Sequence, residues 1–143
     1  MIAIYKNQDG SCGALIRCDH RLTMQQLVEK DAPKNPDGSA PEFVSSLEAE
    51  IPDLYFLPAF SITNKKVSVD INKAKEVQLN RWRGLRAAKL TELDLESLKA
   101  IESGNPAKQA EVAAKKNALR DVTKLPLPNT LAEIKNYIPD ILK

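Results

Sequence analysis

The residue types able to do chemistry are few, and they gather near the N-terminus in the segment CGALIRCDH, which runs from Cys12 through Cys18 to His20. Two cysteines and the chain's single histidine are types that ligate zinc. A structural zinc site needs four ligands, usually from two separated pairs, and no other Cys or His occurs anywhere in the chain. The expectation is therefore two reduced thiols, at least one of them packed as a small hydrophobe, and no metal or other cofactor. On a strand, positions 18 and 20 would share a face, so a Cys18/His20 dyad is the one nucleophile–base pairing the spacing permits. No third orienting group or glycine-rich oxyanion loop accompanies it. No phosphate-binding loop of the Walker or dinucleotide type is present either. These residues predict a protein that is not an enzyme.

Two charged clusters remain. Glu92, Asp94 and Glu96 alternate with leucines in a helical segment, so they point in different directions and read as a solvated face. From Lys65 to Lys89 there are eight basic residues (Lys65, Lys66, Lys73, Lys75, Arg81, Arg83, Arg86, Lys89) against Asp70 and Glu76. Such a stretch could lie against phosphate. The arginines, however, are spread around the helix, and arginine beside Trp82 is also the composition of a protein–protein hot spot. A protein interface is the expectation, with a nucleic-acid-binding accessory protein as the alternative.

The 143 residues suffice for one ordinary domain or one small unit with an appendage. Apolar residues make up 43% and charged residues 28%, the balance of an ordered globular chain. No apolar run approaches the roughly 18 residues that span a bilayer, and the N-terminus has neither a basic nor a hydrophobic leader region. The expectation is synthesis in a cytosol, with no membrane partner. Charge is unevenly distributed, with 5 Lys/Arg against 8 Asp/Glu up to residue 50 and 16 against 11 beyond it, which places a seam near Ile51.

The elements that must position these groups follow from local pattern. MIAIYKNQDGSCGALIRC predicts a hairpin turning at Asn7-Gln8-Asp9-Gly10. Thr23 is placed to cap a short helix, MQQLVEK, and DAPKNPDGSAPEF reads as an exposed loop. PEFVSSLEAEIP suits a short helix, whereas Pro58 divides DLYFLPAFSI into an edge strand or two pieces. FSITNKKVSVDI predicts a second hairpin, turning at Asn64-Lys65-Lys66. Asp70 then caps a helix of about 30 residues, on the order of 45 Å long, interrupted only by Gly84. Its apolar stripe comprises Leu79, Trp82, Leu90, Leu93 and Ile101, flanked by Leu85 and Leu98. Gly104 and Pro106 end it and begin an antiparallel partner, rich in alanines that bury little area each. Thr130 and Glu133 form a capping-box pair for a terminal helix whose apolar face folds back on the hairpin.

The run VSVDINKAKEVQLNRWRGLRAAKLTELDLESLKAIESGNPAKQAEVAAKKNALRDVT, followed by NTLAEIKNYIPDIL, resembles the C-terminal module of small proteins encoded in tail gene clusters of tailed bacteriophages and prophages. The likeness covers about Val67 to Leu142. It departs from that pattern at NRWRGLR, which is unusually aromatic, and at KLPLPN, which stands in place of an alanine-rich linker. The resemblance implies a tail protein or tail assembly chaperone, made in the host cytoplasm and, as a virion component, resident in the tail. Its partner would be a larger tail or tail-fibre protein, with a homo-oligomer possible.

The expected fold is α+β: a small region of short strands and helices over residues 1–70, then a long antiparallel helical hairpin with a short terminal helix over 71–143. Tyr55, Phe56, Phe60, Trp82, Leu85 and Leu93 are the candidate buried or interface anchors, and Arg81, Arg83 and Arg86 the candidate polar contacts. The expected role is that of a non-enzymatic structural adaptor, with a tail or fibre assembly chaperone as the alternative.

Overall fold

A computed structural model describes residues 1–143. The chain divides into two compact units, Met1–Ala74 and Lys75–Lys143. The architecture is α+β, with short strands and helices first and a long helical hairpin with a terminal helix after them.

The first unit is built on a three-stranded antiparallel sheet in the order β2-β1-β3, with β1 at Ile2–Lys6, β2 at Cys12–Ile16 and β3 at Phe43–Ser45. Alternation along β1 sends Ala3 and Tyr5 to one face and Ile4 to the other. On the first face lies α1, Met24–Asp31, contributing Met24, Leu27 and Val28 to a core shared with Ala3 and Ala32. Thr23 and Gln26 start this helix with a complete capping box, each side chain accepting the other residue's amide. Tyr5 lies across Gly13 of the neighbouring strand, where a Cβ would come within 2.2 Å of the ring. The other face of the sheet buries Ile4 and Val44 completely.

β3 overturns the short helix expected over PEFVSSLEAEIP. Val44 pairs with Ile4 and Ser45 with Ala3 in the central strand, and this long-range ladder with burial of Val44 outweighs local propensity. DLYFLPAFSI resolves into two pieces, a 3₁₀ segment Leu54–Ala59 and strand β4, Phe60–Thr63. β4 pairs antiparallel with β5, Lys66–Val69. The two-residue turn between them holds Asn64 at φ 50° and Lys65 at φ 56°, the left-handed pair that a twisted hairpin demands.

Asp70 Oδ1 accepts the amides of Asn72 and Lys73 and so starts α2, Ile71–Glu102, a single helix of 32 residues. Gly84 does not break it. Nothing lies within 4 Å of where a Gly84 Cβ would stand. Gly84→Ala is therefore expected to raise the unfolding free energy by about 0.5–1 kcal/mol, measured by denaturant titration.

Gly104, at φ 59°, closes α2, and the Asn105 side chain accepts the Lys108 amide at the start of α3, Pro106–Asp121. At the base of the hairpin, Trp82, Leu119, Val122 and Leu142 form one core, joined by Leu79, Leu85, Leu90, Leu93, Leu127, Ile138 and Ile141. The chain after α3 thus returns onto the hairpin through α4, Leu131–Asn136, which buries Ile134, and through the terminal residues. The capping box at Thr130 is only half made. Its hydroxyl accepts the Glu133 amide but also meets the Glu133 carboxylate at 2.6 Å, drawing that group off the Thr130 backbone.

One detail of the hairpin core differs from expectation. Ile101 is 59% exposed and Ala100 is buried, because a helix repeating every 3.6 residues returns from Trp82 and Leu93 to position 100, with 101 about 100° further round. Of the α3 apolar residues, Val112 and Leu119 face inward, whereas Ala107, Ala110, Ala113, Ala114 and Ala118 are exposed and act through helix propensity.

Candidate functional site

The Cys18/His20 pairing that the spacing would permit on a strand lacks the strand beneath it. β2 ends at Ile16, and both side chains are exposed on the following loop, where the Cys18 thiol donates to the Ile16 carbonyl. Cys12 is buried and its thiol donates to the Phe60 carbonyl at 3.5 Å. Burial pushes this thiol's pKa up, and the charges of Lys6 and Lys73 draw it only partly back. Cys18 is accordingly expected to react with Ellman's reagent at least tenfold faster than Cys12 in the folded protein, the two rates converging in denaturant.

The candidate anchors occupy different settings. Phe56 and Phe60 are 1% and 2% exposed and Trp82 is wholly buried, so these three fill the interior and are closed to a partner while the fold persists. Tyr55 is half-buried, its ring edge-on to Phe56 at 4.9 Å. Leu85 and Leu93 are half-buried against the Trp82 core.

The basic stretch does not converge on one face. Arg81 and Arg83 are both exposed and, two positions apart at about 100° per residue, point to nearly opposite sides of α2. Arg83 pairs with Glu76 at 3.3 Å, and Arg86 donates to the Arg120 carbonyl at 3.2 Å. Lys75 donates to Asn129. Arg83, Arg86 and Lys75 thus engage groups on the second unit's own surface. Of the acidic trio, Asp94 pairs with Lys116 at 2.8 Å and Glu96 reaches Lys108 at 4.0 Å, so both tie α2 to α3.

Two features are not apparent from residue types alone. The first is a twin of loops, Asn7-Gln8-Asp9-Gly10-Ser11 and Asn35-Pro36-Asp37-Gly38-Ser39. In each, the first residue's amide donates to the serine carbonyl, at 2.8 and 2.9 Å. In each, the serine amide donates to the aspartate at 2.9 Å, and glycine sits at φ 83° or 82°. The Gln8 side chain donates to the Lys34 carbonyl and ties the first loop to the chain entering the second. The serine hydroxyl, then the serine amide, holds each aspartate below the usual carboxylate range. A depressed folded pKa means that each loop's stabilisation is present above the usual carboxylate range and is lost as pH falls through the lower folded value. Carboxyl NMR titrations should therefore place both midpoints below that of a free aspartate, and Ser11→Ala should raise the Asp9 midpoint while leaving Asp37 unchanged.

The second is an open sheet edge. β4 and β5 form a sheet of only two strands. The amide of Asp70 donates to the Ala59 carbonyl, so alternation along the antiparallel ladder turns the N–H and C=O groups of Val67 and Val69 away from β4. Beside this edge is a hollow of about 400 Å³ lined by Ala49, Glu50, Pro52, Lys66 and Val67. Lys65 and Lys66 stand at the hairpin end of the edge, where lysine discourages indiscriminate strand pairing.

No helix is long and apolar enough to cross a membrane. Compared with known proteins, the chain matches no family model, no curated protein and no solved structure.

Proposed function

We propose that this protein is a non-enzymatic, bacteriophage tail-associated adaptor that docks onto a larger tail or tail-fibre protein and stays in the virion. The observation that carries the docking is the outward edge of β5, with unpaired backbone groups at Val67 and Val69 beside an apolar-lined hollow. An extended segment of the partner adds to this edge as a further strand, one of its side chains filling the hollow, with main-chain bonds giving affinity and the hollow giving selectivity. Lys65 and Lys66 favour an incoming strand that carries an acidic residue. The tail setting rests on the resemblance over Val67 to Leu142.

The experiment is co-sedimentation of tagged protein with tails assembled by the encoding phage or prophage. The wild type should sediment with tails, and Val67→Pro, which removes an edge donor and adds bulk, should reduce the bound fraction at least tenfold while Cys12 remains protected from Ellman's reagent. Equal binding by the variant would exclude the β5 edge.

A further inference from the structure

We infer that the outer face of α2 near the hairpin turn is a self-association surface that joins two copies of this chain antiparallel. Leu95, Leu98 and Ile101 are 58%, 57% and 59% exposed, three large aliphatic side chains within two turns of one helix. At about 100° per residue, Leu95 and Leu98 flank the line opposite Trp82, Leu93 and Ala100, and so face away from α3. Isolated exposed leucines are ordinary, but a cluster of them ringed by polar groups is the mark of an interface.

The charges around the patch identify the occupant. On this part of the hairpin several acidic and basic groups pair within the chain: Asp94 with Lys116, Glu96 with Lys108, and Glu111 with both Lys108 and Lys115. Glu92 and Lys99, by contrast, make no ion pair within the chain. They are seven positions apart, so they stand on one flank of α2 about two turns, or 10 Å, from each other. In an antiparallel pair of helices, like flanks face each other with their order reversed. A two-fold axis between Leu95 and Leu98 then sets Leu95 against the partner copy's Leu98 and Leu98 against its Leu95. The same operation brings Glu92 to the other copy's Lys99, and Lys99 to its Glu92. The patch is thus complementary to itself in both shape and charge, as a two-fold interface must be. Parallel helices would instead leave Glu92 and Lys99 at different heights. The overlap spans only about three turns, at the small end of specific interfaces, so dissociation is expected in the micromolar range and should strengthen with salt.

Sedimentation equilibrium of the full chain from about 1 to 200 µM tests the assignment, with far-UV circular dichroism and the emission of the single tryptophan confirming that each variant is folded. The wild type should pass from 15.8 kDa to twice that mass. Leu98→Glu should remain monomeric. Glu92→Lys and Lys99→Glu should each weaken association at least fivefold by placing like charges together, and the double variant Glu92→Lys/Lys99→Glu should recover most of the wild-type affinity. A wild type that stays monomeric throughout would overturn the inference. So would dimers indifferent to Leu98→Glu, and failure of the double swap to restore association would overturn the antiparallel arrangement.

Discussion

Trp82→Ala is expected to lower the unfolding free energy by about 3–5 kcal/mol. Trp82 has no exposed surface and stands at the centre of the cluster that includes Leu119 of α3, Val122 and Leu142. Its indole N–H donates to the Tyr137 carbonyl at 3.3 Å, and its ring lies 5.7 Å from that of Tyr137. One side chain therefore joins α2 to α3 and to the chain that follows α4. Removal leaves a cavity that backbone held by two helices cannot collapse to fill. The loss is measured by urea denaturation followed by circular dichroism, since the variant has no other tryptophan. A loss below about 1 kcal/mol, the size of an average substitution, would mean that the base of the hairpin is held by something other than this core.

Gln78→Ala is expected to cost about 2–3 kcal/mol, a large effect for a polar residue. Gln78 is fully buried, and its amide donates to the Tyr137 carbonyl at 2.7 Å and reaches that of Lys135 at 3.4 Å. Both acceptors lie at the end of α4, where helix carbonyls lack intrahelical donors. Gln78 and Trp82 share the Tyr137 carbonyl, so either one alone keeps it satisfied. Combining Gln78→Ala with Trp82→Phe removes both of these donors from that carbonyl. The double variant should accordingly lose about 0.5–2 kcal/mol more than the sum of the two singles. A strictly additive pair would show that water reaches the carbonyl once either donor is gone.

What was legible in the sequence was local. Thr23, Asn64 with Lys65, Asp70, and Gly104 with Pro106 are chemical punctuation that acts within a few residues, and each starts, turns or ends the element expected of it. What was not legible depends on distant partners or on helical phase. Phe43–Ser45 reads as helix until β1, about 40 residues earlier, supplies its ladder. Ala100 and Ile101 are adjacent, and which of them faces inward is settled by phase carried from Trp82 rather than by hydrophobicity. The exposed patch on α2 is hidden for the same reason: hydrophobicity places Leu98 and Ile101 with the stripe, and helical phase turns these two outward. The twin loops are a sequence repeat, NQDGS at 7–11 and NPDGS at 35–39, whereas composition alone shows the second as an open connection. The open edge of β5 had no signal in the sequence, because an edge is defined by the strand that fails to pair with it.

Mass spectrometry of salt-washed phage or prophage particles purified from the source genome tests the proposed adaptor function most directly. A virion adaptor leaves its peptides in the particle at a fixed ratio to the major tail proteins, through repeated washes. Peptides abundant in the infected lysate but missing from washed particles would contradict residence in the virion, and would assign the protein to assembly instead.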